Sequence, residues 1–329
     1  MSKQEFSISK LATSLKSESD AYLLLEKLRW GGAPDACPKC GTVGRCYFLT
    51  PANGSTRTTR TGSVSERRVW KCGSCRKQFS VLTDTIFHGT KISIRTWLMV
   101  IFEMCSSKNS VSAWEISRKY EITNESAWHM LHRIREGMKR EPVAGLLRGA
   151  IQADETWIGG NPANRHHNDP RELPRKAGTT DKQPVFALVH YETREARSAV
   201  VNDVTAISLG EKIREWADLE NTYLQTDKHT AYKQIGVHAP SHEVVDHSMG
   251  QYKLPGGAGT NLVEGFFSQL KRSLDGTHRH VSIEHLDRYL AQFDFLFSNC
   301  KVSDSQRMRK LIESVAGRRL TYKPLTGNA

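Results

Sequence analysis

Three acidic residues and one lysine stand at positions where their chemistry could be pooled. Asp154 lies inside the strand-like stretch Ile151–Gly160 (IQADETWIGG), and Asp227 closes the run TYLQTD. Glu264 opens the helix-like NLVEGFFSQLKR, with Lys271 two turns further along the same face. Acids at the ends of neighbouring strands suit a divalent cation that takes hard oxygen ligands. Two such ions about 3.5 to 4 Å apart serve the attacking and leaving oxygens of an in-line phosphoryl transfer, and three acids can bridge both. Any one of these acids alone reads as an ordinary surface carboxylate; the weight comes from the set. Glu155 follows Asp154 directly, and strand neighbours face opposite ways. Only one of the two can line a given site, and Asp154 is taken as the member of the set.

Cysteines form a second group. Cys37-Pro38-Lys39-Cys40-Gly41 and Cys72-Gly73-Ser74-Cys75 are two CxxC pairs, suited to one tetrahedral zinc with four thiolate ligands. The gap between them exceeds the usual span of about 15 to 20 residues. Its excess is the Ser/Thr/Gly/Arg-rich segment Thr50–Ser65, expected to be a flexible hairpin tip. Cys46 is the rival ligand nearby, whereas Cys105 and Cys300 read as buried thiols. So small a unit lacks the core to fold without metal, so the zinc is structural. Lys71, Arg76 and Lys77 around it suit docking on phosphate or on another protein.

The elements that must carry these groups follow from periodicity. A helix is expected over Ser19–Trp30, then short strands at Arg45–Leu49, Arg68–Lys71 and Gln78–Leu82. Helices follow over Ile94–Cys105, Ser112–Tyr120 and Asn124–Met138, the last two joined by the short link of a helix-turn-helix. Trp114, Ile116, Ile122, Ala127, Met130, Leu131 and Ile134 are expected to form its core, and Arg133 and Arg135 its basic end. A helical bundle linking domains is the other reading of that pattern.

After Glu141-Pro142 strands and helices alternate. Strands are expected at Gly149–Ile158, Val185–Tyr191, Arg197–Asn202, Asn221–Thr226 and His242–Val245. Helices are expected at Ile207–Ala217, Leu262–Leu274 and Ile283–Phe297, giving a mixed sheet with helices on its faces. The basic loop Asn161–Gln183 reads as a DNA-contacting arm, and Gly256–Gly259 as a hinge delivering Glu264. Trp157 and the Phe266-Phe267 pair read as core, with base stacking as the alternative. His278 and His280 read as a solvated turn or as phosphate contacts.

Formal net charge is +12 and the pI near 9.4, which points to a polyanionic partner. Mean hydropathy is −0.51, and the longest apolar run, Trp97–Phe102, is far short of the roughly 18 residues of a membrane span. The N-terminal stretch has no apolar signal-peptide core, so cytosolic residence is expected.

CPKCG, WKCGSCRKQFSVLTDTIF, ADETWIGG, TDKHTAY, NLVEGFFSQLKR and RHVSIEHLDRYLAQFDF together resemble, in order, the DDE-type insertion-sequence transposases with an N-terminal zinc ribbon and a ribonuclease H-like catalytic domain. The resemblance implies a multidomain α+β chain: N-terminal helix and zinc ribbon over 1–88, helix-turn-helix over 89–145, a mixed α/β catalytic domain over 146–300, and a tail over 301–329. It implies DNA cleavage at element ends and strand transfer into target DNA. Asp154, Asp227 and Glu264 are then catalytic and hold two Mg²⁺ or Mn²⁺ ions, beside one structural zinc on Cys37, Cys40, Cys72 and Cys75. Lys271, Arg272, Arg133 and Arg135 contact DNA. The implied partners are double-stranded inverted repeats, target DNA, and a second copy or a larger synaptic complex, in a bacterial cytoplasm and on the nucleoid. Three departures stand out: Asn261 one turn before Glu264, Asp84 where glycine is usual, and the ending Ser298-Asn299-Cys300. A DNA-binding regulator without catalysis and a nuclease without strand transfer are the competing readings.

Overall fold

Local signals set most element boundaries. Ser17 caps helix α2 (Glu18–Trp30) in a reciprocal box with Asp20, and Gly31 ends it in the left-handed conformation. The computed structural model describes residues 6–51, 56–58, 62, 64–139, 145–159, 182–245, 259–279, 281–322 and 325. The loop Asn161–Gln183 lies outside them up to residue 181, as do 256–258 of the expected hinge and His280. Two units are present: Met1–Met138 together with Lys301–Ala329, and Lys139–Cys300. Among the described residues no helix is long and apolar enough to cross a membrane.

The first unit begins with α1 (Ile8–Ser14) and α2, followed by a three-stranded sheet of order β1 (Cys46–Phe48), β4 (Trp70–Cys72), β5 (Gln78–Phe79). Between β1 and β4, β2 (Arg57–Thr58) and β3 (Val64–Ser65) pair antiparallel, as a hairpin requires. Trp30, Phe48, Trp70 and Phe79 pack against the cysteines. Glu26, buried, accepts from Trp70 Nε1 (2.8 Å) and Arg68 Nε (2.7 Å), which supplies partners for a charge that would otherwise be costly inside.

Helices α3 (Ile94–Ser106), α4 (Ala113–Tyr120) and α5 (Asn124–Met138) follow, with Glu121 left-handed at the end of α4. Instead of a tail, the last segment forms α10 (Asp304–Glu313), opened by a Ser303/Gln306 capping box and packed in the same unit. Ser314 Oγ donates to the Gly137 carbonyl and Arg318 to that of Glu136, so this segment holds the end of α5. Asp84 takes a φ of 54°, the left-handed region, which explains why glycine suits that turn.

The second unit is a five-stranded sheet of order β10-β9-β6-β7-β8. Strands β6 (Leu147–Ile158), β7 (Gln183–His190) and β8 (Ala196–Val200) run antiparallel; β9 (Ala217–Asp227) runs parallel to β6, and β10 (Ser241–Val245) parallel to β9. Helices α6 (Ala206–Trp216) and α7 (Thr230–Gly236) supply Leu209, Ile213, Trp216, Tyr232 and Ile235 to one face, against Ile151, Ala153 and Leu224. Helices α8 (Asn261–Ser273) and α9 (Ile283–Ser298) bring Val263, Phe266, Phe267, Leu270 and Phe293 to the other, against Val185, Ala187 and Val189. Phe266 and Phe267 are therefore core. At the outer edge, α9 covers β8: Asp294 accepts from the Ser198 amide and hydroxyl, and Ser298 Oγ from the Ala196 amide.

Candidate active site

Strand register decides which acids meet. Gln152 on β6 is paired directly with Gln225 on β9, and Asp154 and Asp227 each stand two residues further on. With a period of two, both acids point to the side of their glutamines. That side is the α8/α9 face, because Ala187, the partner of Asp154 across β7, belongs to its core. The one register shift on β6 falls between Leu147 and Gly149, ahead of the acids, so the alternation is unbroken where it matters. Glu264 comes from the first turn of α8, packed on this face, and accepts a hydrogen bond of 2.5 Å from the Thr260 hydroxyl. Asn261 is the exposed first residue of the same helix.

These carboxylates act on one another. Burial, then the charges of Glu155, Asp227 and Glu264, pushes the Asp154 carboxyl up to about 7, although the Glu155 amide donates to its Oδ1 at 2.8 Å. Asp227 Oδ1 accepts from the His229 amide at 3.0 Å. Glu155 serves the opposite side: it accepts from the Tyr232 hydroxyl of α7 and lies 3.8 Å from His229 Nδ1. Burial raises its carboxyl too, while the Tyr232 hydrogen bond works the other way. A donor set of mutually repelling oxygens fits a divalent cation, whose charge would relieve the repulsion.

The four cysteines are drawn closer still. Cys37, Cys40, Cys72 and Cys75 have all their sulfurs within 4.8 Å of one another, the one such group of three or more ligand side chains among the described residues. Cys37 Sγ lies 3.8 Å from that of Cys75, and Cys40 Sγ lies 3.7 Å from that of Cys72. Zinc–sulfur bonds of about 2.3 Å put the corners of a tetrahedron about 3.8 Å apart, so the cluster fits zinc. Cys46, opposite Cys72 in the β1–β4 ladder, is outside the group.

Residues 16–78 match the transposase zinc-ribbon domain, and residues 146–298 match the ISXO2-like transposase domain. The chain belongs to the ISXO2-like transposases. The two matches take in the cysteine cluster and all three acids of this family member. No curated protein matches the transposase. Among solved structures it is similar, at 14% identity and a TM-score of 0.25, to a chain in a cryo-EM structure of a simian T-cell lymphotropic virus intasome in complex with PP2A regulatory subunit B56 gamma. That match covers 54% of the transposase and 63% of the other chain, less than two thirds of the latter.

Two of the expected DNA contacts are not where the sequence reading put them. Arg133 and Arg135 are 5% and 1% exposed. Arg133 donates to the His88 carbonyl (2.6 Å) and lies 5.1 Å over the Trp97 ring, so it fastens the first unit internally. Burial drops its guanidinium to about 10. Residues Met130–Arg135 of α5 are all buried, whereas α4 exposes Trp114 (64%), Arg118 and Lys119. Trp114 is therefore not part of the helix-pair core. Lys271 and Arg272 are exposed on α8 as expected. His278 packs its ring edge-on against Tyr289. Gln152, Gln225, Thr260 and Tyr232 had not been singled out; the matching Gln-x-Asp spacing at 152–154 and 225–227 was the available signal.

Proposed function

We propose that this chain is a DNA transposase whose second unit, a ribonuclease H-like catalytic domain, cleaves DNA at element ends and joins the freed 3′ ends to target DNA. The observation that carries this reading is the gathering of Asp154, Asp227 and Glu264 from two adjacent parallel strands and one helix onto one face, near the carboxyl ends of the strands. Ligand sites of open α/β sheets lie at such ends. The antiparallel meander β6-β7-β8 extended by parallel β9 and β10 supports the fold assignment. Asp154, Asp227 and Glu264 would hold two Mg²⁺ or Mn²⁺ ions, which when bound would activate the attacking oxygen and stabilise the leaving one.

The chain's own residues do the rest. Thr260 fixes one oxygen of Glu264, the Glu155 and His229 amides fix Asp154 and Asp227, and Lys271 with Arg272 meets the DNA backbone further along α8. Binding of the inverted repeats falls to the zinc ribbon and to the exposed α4 of a helix-turn-helix, in a dimer or larger assembly that holds two ends.

Purified protein incubated with Mg²⁺ and labelled DNA carrying the inverted repeats that flank its gene tests the reading. Cleaved and joined products are expected. Binding without cleavage would leave a regulator, and cleavage without joining a nuclease. Asp154→Asn, Asp227→Asn and Glu264→Gln are each expected to abolish cleavage with end binding nearly intact; cleavage retained in any one removes that residue from the site.

A further inference from the structure

Helix α8 is capped from another element. Its N-cap residue, Thr260, turns its hydroxyl to Glu264. The amides of Leu262 and Val263, second and third in the helix, are those a cap side chain ordinarily serves. Here both donate to Gln152 Oε1 of β6, at 2.8 and 3.3 Å. Gln152 Nε2 in turn donates to Gln225 Oε1 of β9 at 3.2 Å, and the same oxygen accepts from the Gly259 amide at 3.3 Å. Both glutamines are buried, at 1% and 8% exposure.

Three members of this network lie close in sequence to an acid. Gln152 precedes Asp154 by two residues on one face, Gln225 stands in the same relation to Asp227, and Val263 adjoins Glu264. Buried amide hydrogen bonds in a low-dielectric setting are costly to leave unmade, so the geometry is strongly held.

We infer that the Gln152–Gln225 pair is the positioning clamp that sets the α8 acid against the two strand acids, and so the divalent-cation affinity of the site. This inference rests on the reading of Asp154, Asp227 and Glu264 as cation ligands. Gln152 touches no reacting atom; it acts through the backbone of α8. Residues that orient ligands in this way typically carry a factor of about 10 to 100 in metal affinity.

The test is Mn²⁺ binding to the full-length, zinc-loaded protein, followed by electron paramagnetic resonance, with hydrogen exchange at Leu262 and Val263 as a second readout. Gln152→Leu removes both polar atoms and is expected to weaken Mn²⁺ binding about tenfold or more, with faster exchange of the two amides and zinc content unchanged. Gln152→Glu keeps an acceptor for the amides, although an ionised carboxylate cannot donate to Gln225 Oε1, and is expected to restore amide protection and to bind Mn²⁺ more tightly than Gln152→Leu. Folded Gln152→Leu with wild-type Mn²⁺ binding overturns the proposal, as does a Gln152→Glu protein as weak as Gln152→Leu. If Gln152→Leu does not fold, Gln225→Met decides by the same criterion. Asp154→Asn separates the two levels: if it too binds Mn²⁺ like wild type, the ligand assignment itself fails, whereas loss in Asp154→Asn beside unchanged binding in Gln152→Leu sinks the clamp alone.

Discussion

Asp154 and Glu155, adjacent in the chain, serve opposite faces of β6: one faces Glu264 on α8, the other takes the hydroxyl of Tyr232 on α7. Each nonetheless feels the charge of Asp227, so the strand end concentrates negative potential from both sides.

That potential has a pH signature. Burial and neighbouring carboxylates raise Asp154 to about 7, so between roughly pH 4 and pH 7 the folded chain keeps a proton the unfolded chain has lost. The contribution of this group to stability is therefore greatest below pH 4 and falls as pH rises through 7. Without divalent cation, Asp154→Asn is expected to melt higher than wild type at pH 8, with the gap closing towards pH 5. Mg²⁺ affinity of the wild type should strengthen from pH 6 to pH 8, since the proton competes with the ion. Calorimetric melts and Mg²⁺ titrations at those pH values check both; a gap independent of pH would remove Asp154 as the titrating group.

Zinc content distinguishes the cysteines. Cys72→Ser is expected to lose the bound zinc and the fold of the ribbon, because the aromatic cluster of Trp30, Phe48, Trp70 and Phe79 is too small to hold alone. Cys46→Ser should keep one zinc per chain, since its thiol lies outside the four-sulfur group. Elemental analysis beside far-ultraviolet dichroism reads out both variants, and a strong chelator should reproduce the Cys72→Ser spectrum.

Arg133 and Lys271 should separate stability from DNA contact. Arg133→Ala removes a charged hydrogen bond and a ring contact from the interior, an expected cost of about 2 to 4 kcal/mol in unfolding free energy. Lys271→Ala, on an exposed face, should stay within about 0.5 kcal/mol of wild type. It should instead weaken DNA binding and lower the salt-dependence slope by about 1. Denaturant melts and binding titrations over a salt series decide; an Arg133→Ala protein with wild-type stability and lost DNA affinity would reverse the assignment.

Gly236 ends α7 against His242. A Cβ there would lie 2.0 Å from His242 Nδ1, and the other ring nitrogen pairs with the Thr226 hydroxyl at 2.9 Å, next to Asp227. Gly236→Ala is expected to destabilise by about 1 to 3 kcal/mol. His242→Ala in the same chain should recover most of that cost, which a double-mutant cycle measures.

Periodicity made the second unit's frame legible. All five expected strands of the second unit are present, and the expected α5 reaches from Asn124 to Met138 as read. Helix α10 went unseen because its sequence, DSQRMRKLIE, is mostly polar, although Met308, Leu311 and Ile312 form a narrow buried stripe at helical spacing. Arg133 and Arg135 were misread for a related reason: a charged side chain on a helix looks solvent-facing until the packing around it is known, and here both are buried, Arg133 with the His88 carbonyl and Trp97 ring as partners. The acids were legible as a set, but the glutamines beside them were not, since a hydrogen bond between strand and helix leaves no period in the sequence.

The first unit's two-part construction makes it dependent on a segment that follows the whole of the second unit in sequence. Segment 301–329 contributes α10 and the hydrogen bonds to the Gly137 and Glu136 carbonyls, although it follows Asp154, Asp227 and Glu264 in the chain. A frameshift or stop codon just after Cys300 would leave Asp154, Asp227 and Glu264 encoded and yet strip the end of α5 of its support. Copies truncated there would keep all three acids while losing a segment that the first unit's fold needs, so a match over the acids alone would not reveal the damage.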